Sequence, residues 1–189
     1  KIDFPKDFWW GAATSGPQSE GRFNKKHANV FDHWFEVEPD AFYDQVGPDT
    51  ASNFYNSYKE DIAMLKEIGL NSFRTSIQWS RLIDDLEEGT VNEDAVRFYN
   101  AVIDECLVQG IKPVMNLFHF DMPIELQNKY GGWESKHVVD LFAKFAGQHV
   151  FHRAHRINAP GAAVKPGLAQ VGVQLATGTR HGTGTAQAF

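Results

Sequence analysis

Three times between residues 8 and 146 a short apolar run gives way to an amphipathic stretch of helical period, and that alternation restricts the chain to parallel βα units. The apolar runs fall at residues 8–15, 71–77 and 111–118, each of a length suited to a buried strand. After the first, Pro48-Asp49-Thr50 makes a helix start, Phe54, Tyr58, Ile62, Leu65 and Ile68 recur at three- and four-residue spacing, and Gly69 closes the helix. In the second helix Asn92 supplies the N-cap, Glu93 and Asp94 suit the positive end of the helix dipole, and Gly110 ends the pattern. Its expected buried face is Val96, Tyr99, Ile103, Cys106 and Leu107. A third helix is expected over residues 135–146, with Val138, Leu141, Phe142 and Phe145 on one face. The fold class is therefore α/β.

The pattern stops where the composition changes. All 24 acidic residues lie within positions 1–140, and residues 141–189 contain none. At the roughly 12% acid content of ordinary domains, an acid-free run of that length arises by chance on the order of a few times in a thousand. Residues 1–148 carry 14 basic against 24 acidic side chains, a balance of −10, and residues 149–189 carry four basic ones, which gives the net −6. Beyond residue 148 the only aromatics are Phe151 and Phe189, and Ala, Gly and Thr fill stretches such as residues 177–185. Such a segment has little apolar surface with which to offset backbone ordering at ~1–2 kcal/mol per residue. The expected organisation is a folded unit over residues 1–147 and a low-complexity, disordered tail over residues 148–189. Two origins stay open for that tail, an ordinary flexible extension or translation in a shifted reading frame, and the abruptness of the change favours the second.

The acidic balance of the folded unit leaves no basic stripe for a nucleic-acid partner. Cys106 is the sole cysteine, which excludes an intrachain disulfide and a thiolate metal cluster, and neither metal nor cofactor is expected. No window approaches the ~20 apolar residues of a membrane span. The opening Lys1-Ile2-Asp3-Phe4-Pro5 has neither the charged start nor the apolar core of a secretory leader. A cytoplasmic protein without a membrane partner is the expectation.

The chemistry-bearing residues follow the strands. The first run reads Phe8-Trp9-Trp10-Gly11-Ala12-Ala13-Thr14-Ser15-Gly16-Pro17-Gln18-Ser19-Glu20-Gly21, and the second Asn71-Ser72-Phe73-Arg74-Thr75-Ser76-Ile77-Gln78-Trp79-Ser80-Arg81. The third ends in Leu117-Phe118-His119-Phe120-Asp121-Met122-Pro123, and Gly131-Gly132-Trp133 follows. In order and spacing these blocks resemble those of family 1 glycoside hydrolases, over residues 4 to about 146. The resemblance implies a (β/α)8 barrel and retaining hydrolysis of β-glycosides. A complete barrel takes ~250 residues or more. What the resemblance implies here is an incomplete (β/α)8 TIM barrel, about its first three βα units.

In such a barrel the working groups sit at the C-terminal ends of the strands. A Gln amide offers a donor and an acceptor, which suits paired sugar hydroxyls, and the family uses the residue matching Gln18 in that way. His119 matches the histidine that touches the sugar. Arg74 lies within an otherwise apolar strand, where an unpaired guanidinium is prohibitive. The resemblance gives it the nucleophilic carboxylate as partner; the residues alone also allow Glu20 or Asp121. Glu20 matches a loop-supporting position, so Arg74, Glu20 and Asp121 are expected to support the site. Gly131-Gly132-Trp133 is expected to be a packing turn.

Family members carry their acid/base glutamate in an Asn-Glu-Pro block after strand 4 and their nucleophile in a Glu-Asn-Gly block after strand 7. This sequence contains neither block, and its one Asn-Glu pair, Asn92-Glu93, opens a helix. Pro17 and Phe120 stand where many members have an aromatic and a Trp, which resembles the branch acting on 6-phospho-β-glycosides. The leading expectation is a β-glucosidase or 6-phospho-β-glucosidase fragment without activity, taking a small-molecule β-glycoside. The alternatives are a non-catalytic glycoside-binding or interaction module, and a subunit completed by a partner chain. Open barrel edges also lead us to expect self-association.

Overall fold

The computed structural model describes residues 3–157. In chain order its elements are β1 (Gly11–Ala13), α1 (Gly16–Ser19), α2 (Val30–Val37), α3 (Phe54–Glu67), β2 (Ser72–Ser76) and α4 (Trp79–Leu82). They continue as β3 (Ile83–Asp85), β4 (Thr90–Val91), α5 (Glu93–Val108), β5 (Lys112–Asn116), α6 (Ile124–Tyr130) and α7 (Lys136–Ile157). The three anticipated strands form one parallel sheet in the order β1-β2-β5, with Ala13, Arg74 and Val114 in register across it. Helices α3 and α5 are the crossovers that parallel pairing requires. The strands β3 and β4 form a separate antiparallel hairpin that periodicity did not reveal.

The first strand is shorter than its apolar run and is not buried. Trp9 and Trp10 are 42% and 47% exposed; the Asn71 side chain accepts from Trp10 N and donates to Phe8 O, and Trp10 O accepts from the backbone amides of Asn71 and Ser72. Gly11 is where the backbones close up: a Cβ there would lie 2.2 Å from Ser72 Oγ and 2.6 Å from Ser72 O. The sheet thus begins at the residue that carries no side chain.

The two crossover helices follow their caps. The Asn92 side chain accepts from Ala95 N at 3.0 Å, with Glu93 and Asp94 in the first turn of α5. The buried stripe of α5 is Ala95, Phe98, Tyr99, Val102, Ile103 and Cys106, whereas Leu107 is 40% exposed. Residues three and four apart share a face, so a stripe through 95, 98, 102 and 106 leaves Val96 and Leu107 at its rim. The same drift exposes Ile68 at the end of α3, while Ile62 in its middle is fully buried.

The core between sheet and helices is aromatic. Trp79, 1% exposed, stacks on Phe145 of α7 with ring centroids 5.6 Å apart, and Phe142 meets it edge-on at 5.4 Å. Trp133 closes the group against Phe118 and Phe142, as a packing turn would. Val138, Leu141 and Phe145 are buried as expected, and α7 runs past residue 146 to Ile157. The remainder of the low-complexity tail lies outside the described residues. Among those described, no helix is long and apolar enough to cross a membrane.

Among the described residues β1 and β5 are each paired along one edge only. Unpaired strand edges template association. We expect light scattering to show concentration-dependent association of the chain, relieved by Ala13→Lys on the exposed edge of β1; a monomer at all concentrations would show that these edges are covered.

Candidate active site

The C-terminal ends of β1 and β5 carry Gln18 and His119, with β2 between them. At the ~4.8 Å spacing of neighbouring strands the outer two stand about 10 Å apart, the breadth of a sugar ring and its hydroxyls. Gln18 is exposed on α1, and its Oε1 accepts from Ser15 Oγ at 2.7 Å. Gly16 N donates to Ser76 Oγ at 2.8 Å, which ties this short helix to the end of β2. His119 is half-buried, and burial, then the nearby Arg74 charge, lowers its pKa. A neutral imidazole at pH 7 can donate from one nitrogen and accept at the other.

Arg74 occupies the middle strand, and its Nη1 donates to Thr14 O at 2.9 Å. Among the described residues no carboxylate lies within ion-pairing distance of it. The pairing with Glu20 or Asp121 that the sequence allowed is not made, because both carboxylates are engaged elsewhere.

Glu20 is 1% exposed and pairs with Arg81, also 1% exposed, whose Nε donates to Glu20 Oε2 at 2.7 Å. Gln78 Nε2 donates to the same oxygen at 2.7 Å, and Tyr99 OH donates to the carboxylate at 3.1 Å. Burial, then the Glu20 charge, raises the Tyr99 pKa and keeps the phenol protonated as a donor. The Arg81 guanidinium also donates to Gly21 O at 2.8 Å and to Phe23 O. Through Gln78 Oε1, which accepts from Asn29 Nδ2 at 3.1 Å, the network reaches the capping box of α2 and the buried Lys25–Asp32 pair. Tyr99 was anticipated only as part of a buried helix face, and none of Arg81, Gln78, Asn29, Lys25 and Asp32 was singled out from sequence. Arg81 stood in the same block as Arg74, and a second arginine close behind an apolar strand was the available signal.

Asp121 is fully buried and accepts from Trp79 N at 2.6 Å and His119 N at 2.7 Å. It fastens the loop after β5 to the turn after β2. Burial raises its pKa to about 6 against the lowering effect of those two donors. Among the described residues no three His, Cys, Asp or Glu side chains cluster in a way that could hold a metal ion.

The profile of Glycosyl hydrolase family 1 matches residues 1–159. The chain is 53% identical over 145 residues to the 6-phospho-beta-glucosidase GmuD of Bacillus subtilis (strain 168), covering 76% of this chain and 31% of that protein. It is 41% identical over 148 residues to Beta-glucosidase 17 of Arabidopsis thaliana, covering 77% of this chain and 29% of that one. Among solved structures, the psychrophilic beta-glucosidase BglU from Micrococcus antarcticus is similar with a TM-score of 0.74 and 32% identity, over 82% of this chain and 33% of that one. The chain spans about a third of the length of the proteins it matches.

Two predictions concern the buried carboxylates. Removing one member of a buried ion pair strands the other, so Glu20→Ala should lower the unfolding free energy in urea by about 3–5 kcal/mol. A loss below ~1 kcal/mol would show Arg81 to be hydrated. Asp121 holds its proton more tightly folded than unfolded, so its contribution is complete below pH 4 and is lost as pH rises through about 6. Relative to Asp121→Asn, the unfolding free energy should fall by up to about 3 kcal/mol across that window. Glu87, lowered from 4.5 to about 2 chiefly by the Tyr130 hydroxyl, contributes in full above pH 4.5 and loses that contribution as pH falls towards 2, so its own change touches only the lower edge of that window.

Proposed function

The chain belongs to glycosyl hydrolase family 1, and on that premise we propose that its folded region is the sugar-recognising part of a β-glycosidase barrel, without hydrolytic activity of its own. The observation that carries this reading is the arrangement of Gln18 and His119 at the C-terminal ends of two strands that flank β2 and Arg74. A sugar seated there meets an amide and a neutral imidazole, both able to donate and accept, above a fixed positive charge.

Retaining hydrolysis needs two carboxyl groups roughly 5–5.5 Å apart across the scissile bond. Glu20 and Asp121 cannot supply them. The first is enclosed with Arg81 and the second is bound to two backbone amides, and neither is more than 1% exposed. Arg74 is free of a carboxylate partner among the described residues and suits the nucleophile that the rest of a barrel would bring.

The proposed ligand is a β-glucoside or, in preference, a 6-phospho-β-glucoside. Pro17 and Phe120 support the phosphorylated form, as does the greater identity to GmuD than to Beta-glucosidase 17. A cytoplasmic location belongs to the same proposal. A subunit completed by a partner chain is a second reading, favoured by the two unpaired edges of the β1-β2-β5 sheet.

The purified chain should hydrolyse neither p-nitrophenyl β-glucoside nor its 6-phosphate above background, since losing essential catalytic groups costs several orders of magnitude in rate. Turnover that disappears on Gln18→Ala would overturn the inactivity. Methyl β-glucoside or its 6-phosphate should nevertheless shift the His119 ring resonances; no shift with either sugar would overturn sugar recognition.

A further inference from the structure

One side chain, His27, joins the three loops that follow the three parallel strands. It lies between α1 and α2, beyond β1, and is 15% exposed. Its ring Nδ1 is 3.0 Å from Glu125 Oε1 on α6, which follows β5. Its Nε2 is 3.1 Å from Asp84 O in the β3–β4 hairpin, which follows β2. The His27 backbone amide donates to Ser80 O on α4 at 3.1 Å. Two more backbone bonds, from Val30 N to Met122 O at 3.0 Å and from Ile124 N to Ala28 O at 2.9 Å, run between the first loop and the third. In parallel βα units the working groups stand at this end of the sheet.

The two partners of the ring are of one kind. A backbone carbonyl and an ionised carboxylate only accept, whereas a neutral imidazole donates from one nitrogen and accepts at the other. Both bonds are therefore made only by a ring with hydrogen on both nitrogens. The neutral ring donates to one partner and turns a lone pair towards the other. His137 is the contrast: its Nε2 meets a single acceptor, Glu87 Oε2, at 2.8 Å, and a neutral ring with hydrogen on Nε2 keeps that bond. The charged groups around His27 are Glu125 on α6, Asp84 and Asp85 on the hairpin, and Lys25 and Lys26 beside it in sequence. Lys26 Nζ lies 3.5 Å from Asp84 Oδ1 and Lys25 pairs with Asp32, which leaves Glu125 to the ring. The Asp85 carboxyl is held below its ordinary pKa, first by the Glu88 and Glu87 amides that donate to it and in smallest part by the His27 charge.

We infer that His27 is a pH-sensitive staple: its imidazolium, bonded to Glu125 and to Asp84 O, holds the three strand-end loops as one unit, and loss of the ring proton gives up one of the two bonds. The inference is independent of the sugar-recognition reading. Histidine changes its charge between about pH 5 and 8, so the loops are held more firmly on the acid side of that range than on the alkaline side.

The test is amide hydrogen exchange of the full chain, read by nuclear magnetic resonance at His27, Val30 and Ile124, whose amide bonds cross between the loops. The amides of the β2–β5 ladder give the change common to the whole fold. Relative to that ladder, protection at the three amides should fall by about two- to fivefold between about pH 5.5 and about pH 8, the worth of one partly exposed ion pair. The fall should follow the titration of the His27 ring, assigned with His27→Gln. Glu125→Gln separates the staple from a merely structural ring. Its amide can donate to a neutral Nδ1 or accept from a charged one, so protection should stay level across the range. Glu125→Ala, at a half-exposed position, should give the lower level at both pH values. No fall in the parent chain, an equal fall in Glu125→Gln, or a fall that does not follow the His27 ring would each overturn the staple.

Discussion

The buried pair of Glu20 and Arg81 is the interaction on which the upper end of this sheet depends. Two charges at 1% exposure carry a desolvation cost of several kcal/mol each, offset only when every remaining donor and acceptor is matched. Here the matching partners come from three separate stretches of chain: Gln78 after β2, Tyr99 on α5, and the carbonyls of Gly21 and Phe23 beyond α1. The loop after β1 is thereby clamped to the turn after β2. Because Gln78 also takes the Asn29 amide, the same clamp sets the entry to α2.

The clamp also sorts the carboxylates by use. A glycosidase carboxylate must be reachable by substrate, and it must change its charge or form a bond during the reaction. Glu20 is neutralised by Arg81 and enclosed, and Asp121 is consumed in holding two backbone amides. Both are acids beside the strand ends, yet neither is open to a substrate. Gln18 and His119, which follow the two flanking strands, can donate to and accept from a hydroxyl but have no carboxylate with which to cleave a glycosidic bond.

Much of the sheet and its two crossover helices was legible because periodicity, Asn92 and the closing glycines are local signals. The strand positions 72–76 and 112–116 fell inside the anticipated runs, and β1 is confined to three residues, the chain before it being held by tertiary bonds to Asn71 and Ser72 that a local pattern does not carry. The hairpin β3–β4 and helices α1, α2, α4 and α6 are short, and so few residues complete no apolar stripe. The candidate site was readable through Gln18 and His119 because each follows a strand. The partner of Glu20 was not, since Arg81 meets it across 61 positions and both arginines of the block satisfied the same argument.

That ambiguity resolves in a physically informative way. The enclosed arginine, Arg81, takes the carboxylate, while the half-buried one, Arg74, is left with the Thr14 carbonyl. A guanidinium so placed still projects its field: it adds to burial in lowering the His119 pKa, so the imidazole stays neutral where a hydroxyl would meet it. An anion brought to Arg74 would weaken that effect and draw His119 towards its charged, donor-only form. The charge state of His119 and occupancy of the position beside Arg74 are therefore electrostatically coupled. The coupling needs no movement of the backbone, because the guanidinium is fixed by the central strand of the sheet.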